Sequence, residues 1–263
     1  MLLVGPSRLF LRYIEQVLPS LGETGVVSVT VGDLVPGVRA RASEDEAVAR
    51  IKGLPAWATI VKEAVRALTK LPKEDQKLRV WNRTVTLTRA DVEGARRRAK
   101  RSGRPHNVAR ESFARELMDV LALRLAREAG DADSEGNVDP EVKRSWLIEI
   151  RDSVDCRRAI NTAWMPTSAQ TLVRRLYARP EVLAAANRRA KSPLRPDELA
   201  LLARPRCAPW TVSDVPILDE CEELLGPMPT SSASSQEMDQ AEVERARAAI
   251  EGQNLGGGIV TAQ

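Results

Sequence analysis

The stretch MLLVGPSRLFLRYIEQVLPSLGE, residues 1–23, decides which fold the amino-terminal part of the sequence predicts. Residues 1–4 form a short apolar run typical of a buried strand, and Ser7 follows a Gly-Pro turn as the N-cap of a helix. Apolar residues recur at helical spacing along one side of this helix: Leu9, Phe10, Tyr13, Ile14, Val17 and Leu18. Pro19 and Gly22 are expected to end it. This order predicts an α/β nucleotide-handling domain that the chain enters partway through.

A second strand is predicted shortly after this helix. Residues 26–31 are rich in β-branched side chains and lie between Gly25 and Gly32. Because the sequence offers few further strands to flank it, we expect this segment to be poorly covered.

The remaining chain is predicted to be mainly helical. Thr88 and Asp91 have the spacing of a capping box, at the start of a basic helix that stops at Gly103. A β-like region over residues 77–87 precedes this helix and is interrupted at Asn82-Arg83. Frequent prolines after residue 165 favour short helices there. Further helices are expected over residues 43–52, 57–71, 107–129 and 215–225. The first of them should begin with a capping box at residues 43–46, and Pro72 should end the second.

Composition excludes several classes of protein. The 263 residues are 43% hydrophobic and 29% charged, with no apolar stretch near the roughly 20 residues needed to span a bilayer. Neither a signal peptide nor a membrane partner is expected, so the predicted location is the cytoplasm. The cysteines, Cys156, Cys207 and Cys221, are expected to be reduced. With His106 as the single histidine, predicted to be exposed before a helix, we expect no metal site.

The strongest functional candidate is a basic segment over residues 79–127. It holds thirteen basic residues against five acidic ones, a local net charge of +8. Six of its cations form the candidate site for nucleic acid or an acidic protein surface: Arg96, Arg97, Arg98, Lys100, Arg101 and Arg104. Contiguous arginines cannot share one helix face, so a helix that reads a DNA groove is not expected. A solvated helix at the edge of a domain is the alternative.

Two other patterns favour structural roles. Asp219-Glu220 after an apolar run could end a metal-binding strand, but Pro216 and the helical continuation favour the surface of a helix, so no catalytic residue is predicted. The tryptophans are too scattered for a base-stacking platform and are expected in the core: Trp57, Trp81, Trp146, Trp164 and Trp210.

Four blocks, in order, resemble the HelD-type (HelR-type) RNA polymerase recycling ATPases, a UvrD-like superfamily 1 group. The first block carries the family motif residues Gly5, Pro6, Phe10, Tyr13 and Ile14. The second runs from Trp81-Asn82 through the basic helix to Ser112-Phe113, and the third from Ile150-Arg151 to Tyr177. The fourth is WTVSDVPILDE at residues 210–220. The resemblance covers nearly the whole chain.

The resemblance implies a mainly α fold with a small α/β remnant, part of a superfamily 1 motor subdomain interrupted by a helical insertion. Residues 1–40 would be partial motor subdomain, residues 41–204 the insertion, and residues 205–263 the return to the motor, with a flexible linker over residues 227–240. RNA polymerase core enzyme is the implied partner. No G-x-x-x-x-G-K-[ST] loop occurs, so we expect no cofactor in this chain; ATP and magnesium are expected only for an intact parent protein.

Three functions compete at this point. The chain could be a fragment of such an ATPase that docks on RNA polymerase and helps release it from nucleic acid, without hydrolysing ATP. It could instead be a stand-alone basic, helical nucleic-acid-binding protein. Or it could be a truncated gene product without independent activity, which the apolar start and the glycine-rich end both favour.

Overall fold

The computed structural model describes residues 2–21 and 25–229. The chain divides into two compact units, Met1–Pro227 and Met228–Gln263, and the description below concerns the first. This unit is mainly helical, as the sequence predicts.

The amino-terminal segment forms a strand, a helix and a second strand. Strand β1 covers Leu2–Gly5, helix α1 covers Arg8–Val17, and strand β2 covers Val27–Thr30. The strands pair in parallel, with Leu2 opposite Val27 and Gly5 opposite Thr30. Ser7 is the N-cap, as predicted, because its Oγ accepts from the backbone N–H of Phe10 at 3.2 Å. The helix passes at Leu18 into a short 3-10 helix that includes Pro19, whereas Gly22 lies outside the described residues.

Two hydrophobic cores hold the rest of the unit together. The first core packs helices α2 and α3, over Glu46–Lys52 and Ala56–Arg66, against helices from the carboxyl-terminal part of the chain. Those later helices are α8 over Ala169–Ala178, α9 over Pro180–Arg189, α10 over Pro196–Leu201 and α11 over Val215–Leu225. The predicted capping box at residue 43 is wrong: Asp45 caps α2, accepting from the backbone N–H of Ala47 at 2.8 Å. Helix α3 also ends earlier than predicted, at Arg66.

The second core is built from a hairpin and four helices. In the sequence these elements come between the two segments that form the first core. Strands β3 and β4, over Gln76–Val80 and Arg83–Leu87, pair antiparallel around the predicted break. The helices are α4 over Arg89–Arg101, α5 over His106–Ala129, α6 over Pro140–Asp152 and α7 over Val154–Ala163. The hairpin turn places Trp81 at a φ of 51° with its side chain exposed, so its predicted core position is wrong. Trp57, Trp164 and Trp210 are buried as predicted, and Trp146 is half-buried.

The two connections between the first core and the second core lie side by side. The backbone N–H of Lys70 donates to the carbonyl of Ala163 at 2.8 Å, beside a β-bridge between Thr69 and Trp164. The first core therefore consists of residues 35–64 and 169–225, and the second of residues 78–164. The division at residues 40 and 204 stays a prediction, and most of the predicted linker over residues 227–240 lies outside the described residues.

A buried ionic cluster fixes α2 to the segment that precedes α11. Lys52 Nζ lies 2.9 Å from Asp214 Oδ1, donates to Thr211 Oγ1 at 3.2 Å and pairs with Glu44. Arg204 donates to the other oxygen of Asp214 at 2.7 Å. Although burial raises the pKa of Asp214, hydrogen bonds from the Thr211 backbone and from Lys52 hold it below the usual value of 3.8. The lysine and aspartate are almost inaccessible to solvent, so their mutual pairing is needed to offset their desolvation.

Candidate functional site

The basic helix α4 begins as its sequence predicts. The backbone N–H of Asp91 donates to Thr88 Oγ1 at 3.1 Å, and the N–H of Thr88 donates to the Asp91 carboxylate at 2.9 Å, which completes the capping box. Its buried side consists of small or β-branched residues that lie against the second core: Val92, Gly94, Ala95 and Ala99. The cations are left on the remaining sides of the helix.

Several cations of the basic segment serve the fold. Arg98 pairs with Glu116 of α5, above Gly94, where an added Cβ would lie 3.2 Å from the guanidinium. Arg124 pairs with Asp91 at 3.0 Å, and Arg110 donates to the carbonyl of Trp164 at 2.8 Å. These three arginines are therefore engaged in contacts within the fold.

Four cations of α4 form a continuous group that we call the basic ridge: Arg96, Arg97, Lys100 and Arg101. Within residues 2–21 and 25–229, none of the four makes an ion pair, and Glu93 is the acidic residue beside them. The ridge contains four of the six predicted site residues. Arg98 is neutralised, and Arg104 faces a different feature.

That feature is a concave site between α3 and the end of α4, which we call the basic cleft. Its cations come from two segments of the chain: Lys62 and Arg66 on α3, and Lys100 and Arg104 at the end of α4. Apolar parts of Val65, Ala109, Trp164 and Leu224 line it, and its volume is 520 Å³. Volumes of about 300–1,000 Å³ are typical of sites that hold small ligands or inserted side chains.

The charges around the cleft repel one another. Partial burial lowers the pKa of Lys100, and the positive charges of Arg96 and Arg66 lower it further. Arg66 is partly neutralised by Glu63, whose carboxylate lies 2.5 Å away. In the described part of the chain no carboxylate pairs with Lys62, Lys100 or Arg104. The cleft thus carries a positive charge that is only partly compensated.

The prediction that His106 is exposed is wrong. It is the first residue of α5 and is buried against Trp164, with 5.4 Å between the ring centroids. Burial lowers the pKa of His106, although the hydrogen bond to the carbonyl of Met165 favours the charged ring. The lowered pKa favours the neutral imidazole, and Nε2 donates to the Met165 oxygen 3.0 Å away because a carbonyl oxygen can only accept. The histidine links α5 to the segment after α7.

The residues that resemble the family motif belong to β1, the turn after it and α1, and none of them lines the basic cleft. Gly5 is buried at the end of β1, and a Cβ there would lie 2.6 Å from Leu11 Cδ2, so the side chain of Leu11 would have to shift to admit any other residue. Pro6 follows in the turn. Phe10 and Tyr13 are exposed and Ile14 is half-buried, so none of these three lies in a core.

Asp219 and Glu220 lie on helix α11, which confirms the structural interpretation of this pair. Residues 2–21 and 25–229 contain no group of three or more histidine, cysteine or acidic side chains placed to hold a metal ion. In the same part of the chain no helix combines the length and the apolar character that crossing a membrane requires.

The sequence predicts the cations of α4 as a candidate site but does not predict that Lys62 and Arg66 belong to it. Both belong to an ordinary amphipathic helix whose net charge is only +1, from two basic residues and one acidic residue. Only the packing of α3 near the end of α4 brings them to the same cleft. No protein-family model and no curated protein matches this chain.

Proposed function

We propose that this chain is part of a HelD-type RNA polymerase recycling ATPase, in the UvrD-like superfamily 1 group, and that it docks onto RNA polymerase core enzyme and helps release it from nucleic acid. ATP binding and hydrolysis would belong to other parts of the parent protein. The four ordered sequence blocks are the basis for naming the family.

The observation that carries this proposal is the uncovered α/β segment at residues 2–30. Leu9, Tyr13 and Val27 are 79%, 66% and 63% exposed, and within residues 2–21 and 25–229 the parallel sheet consists of two strands. Parallel sheets are normally covered on both faces, and a two-stranded sheet has little stability of its own. The segment therefore has the surface of an incomplete α/β subdomain, as a motor interrupted by an insertion would leave.

The basic ridge supports the docking role. It presents four unpaired cations on a helix that is firmly capped and packed. Lysine and arginine on a rigid helix suit an acidic protein surface, because the backbone that carries them needs no ordering on binding.

Co-purification with RNA polymerase core enzyme tests the proposal. The tagged, folded chain is expected to retain the polymerase and to bind no ATP analogue. Replacing Arg97 and Arg101 by alanine should weaken retention, whereas replacing the exposed Arg188 and Arg189 of α9, which removes the same charge, should not. If folded chain retains no polymerase, the proposal is wrong.

The second candidate is a nucleic-acid-binding protein, which the same unpaired ridge favours. It predicts sequence-independent binding whose affinity falls steeply as salt increases. An oligonucleotide mobility shift at two salt concentrations separates the two functions, because binding that is absent or insensitive to salt excludes this candidate.

A further inference from the structure

The basic cleft has features of a site for one class of ligand. Lys62 and Arg66 are separated by one helical turn on α3, and Lys100 and Arg104 approach from the end of α4. Residues four apart on a helix have Cβ atoms about 5–6 Å apart. A ligand with several negative charges at separate positions can pair with cations of both segments.

The floor of the cleft is apolar. Val65 and Leu224 are half-buried there, and the buried Trp164 also lines the cleft. An aliphatic side chain placed on this floor would remove apolar surface from water, which favours binding. The ligand should therefore combine carboxylates with an aliphatic group between them.

Nucleic acid fits this cleft less well than a peptide does. Base stacking needs an open aromatic face, and Trp164 is only 2% exposed, with its indole N–H donated to the carbonyl of His106 at 3.2 Å. The other lining groups of the cleft offer no aromatic ring apart from the buried His106.

We propose that the basic cleft binds an acidic peptide segment of a partner protein, with an aliphatic side chain on the floor and flanking carboxylates paired with Lys62 and Lys100. The partner is defined by this pattern of charge. The cleft would bind such a segment from any protein, whether or not that protein is RNA polymerase. This inference therefore does not depend on the family proposed above.

Fluorescence anisotropy with the full chain tests this inference. The probe is a labelled peptide of two glutamates, one leucine and two glutamates, measured at low salt. We expect saturable binding, and roughly tenfold weaker binding when Lys62 and Lys100 are both replaced by alanine. Replacing the peptide's leucine by serine should also weaken binding, because the floor then buries no aliphatic group.

The matched control replaces Arg97 and Arg101 by alanine. This variant loses the same two charges from exposed positions of the ridge but leaves every lining group of the cleft in place. Peptide binding should stay within about twofold of the unmodified chain. All four substituted side chains are exposed, so both variants should remain folded.

Each other outcome contradicts the inference. If the peptide shows no saturable binding, the inference is wrong. If the two double variants weaken peptide binding equally, the peptide is held by general charge attraction and not by the cleft. Tighter binding of a single-stranded thymidine oligonucleotide, lost on substitution of Lys62 and Lys100, assigns the cleft to nucleic acid. Polymerase retention is a separate measurement, so failure of the docking proposal can be told apart from failure of this one.

Discussion

A buried amide, Asn107, joins three segments of the chain that are distant in sequence. Its Nδ2 donates to the carbonyls of Thr167 at 3.1 Å and Gly226 at 3.0 Å, and its Oδ1 accepts from the Thr167 N–H at 3.0 Å. Alanine at this position would leave those backbone groups without these bonds. We expect the free energy of unfolding to fall by about 1–3 kcal/mol, as measured by urea denaturation. A change within 0.5 kcal/mol, about the size expected of an exposed surface substitution, would show that water replaces the amide.

The three cysteines should differ in reactivity. Cys207 is exposed, whereas Cys156 and Cys221 are buried and none of the three is paired. Burial raises the pKa of both buried thiols, which further lowers their reactive thiolate fraction. A maleimide reagent is expected to label the native protein once, and three times after denaturation. Peptide mapping should place the first label at Cys207, and rapid native labelling of Cys221 would contradict the packing of α11.

At the scale of elements, the ionic cluster around Asp214 should make the attachment of α2 sensitive to acid. The pKa values of Asp214 and Glu44 lie below their usual values of 3.8 and 4.5 in the folded protein. A lowered carboxyl pKa contributes stability that is present above the unfolded value and lost as the pH falls through the folded value. Unfolding monitored by circular dichroism should therefore show stability declining as the pH drops below about 4.5.

Removing one charge from this cluster should be costly at neutral pH. Asp214→Asn leaves Lys52 and Arg204 without their shared carboxylate, and we expect a loss of about 3–5 kcal/mol. The difference between this variant and the unmodified chain should shrink in acid, where Asp214 is protonated in both states. Glu141→Gln, in an exposed pair with Arg144, is the control and should change stability by less than about 0.5 kcal/mol. An equal effect of the two substitutions would contradict the burial of the cluster.

Local chemistry explains which elements were predictable. Ser7 and the Thr88–Asp91 box act within three residues of themselves, so their spacing in the sequence is sufficient to predict helix starts. Ser43 has the same local chemistry, but Glu44 is drawn to Lys52 and Ser213, and Asp45 becomes the cap. Tertiary contacts outweighed the local pattern there. They also buried His106, which its flanking residues gave no reason to expect.

The candidate site was predictable only in part, for the same physical reason. A run of arginines in α4 is visible in the sequence, and four of the six predicted cations form the ridge. The neutralisation of Arg98 depends on Glu116, eighteen residues away, and the cleft depends on α3 packing near α4. Periodicity describes the faces of each helix but not which helix each face meets.

At the scale of the whole molecule, the first core is discontinuous in sequence and the second is contiguous. Residues 78–164 bury their own apolar side chains, from Leu78 and Leu87 in the hairpin to Trp164 after α7. The two ends of this part of the chain meet at the hydrogen bond from the Lys70 N–H to the Ala163 carbonyl. A contiguous core whose ends lie close together is the arrangement expected of a segment that folds by itself.

We therefore expect residues 70–166, expressed alone, to form a helical protein that unfolds cooperatively. It should be less stable than the full chain, because Asn107 loses its bonds to Thr167 and Gly226. Leu117→Ala, which removes a fully buried side chain of α5, should destabilise this segment and the full chain alike by about 2–5 kcal/mol, measured by urea denaturation. Agreement between the two values would mean that the isolated segment keeps the native packing. A broad transition that Leu117→Ala leaves unchanged would mean instead that the second core forms only when the first core holds its ends together.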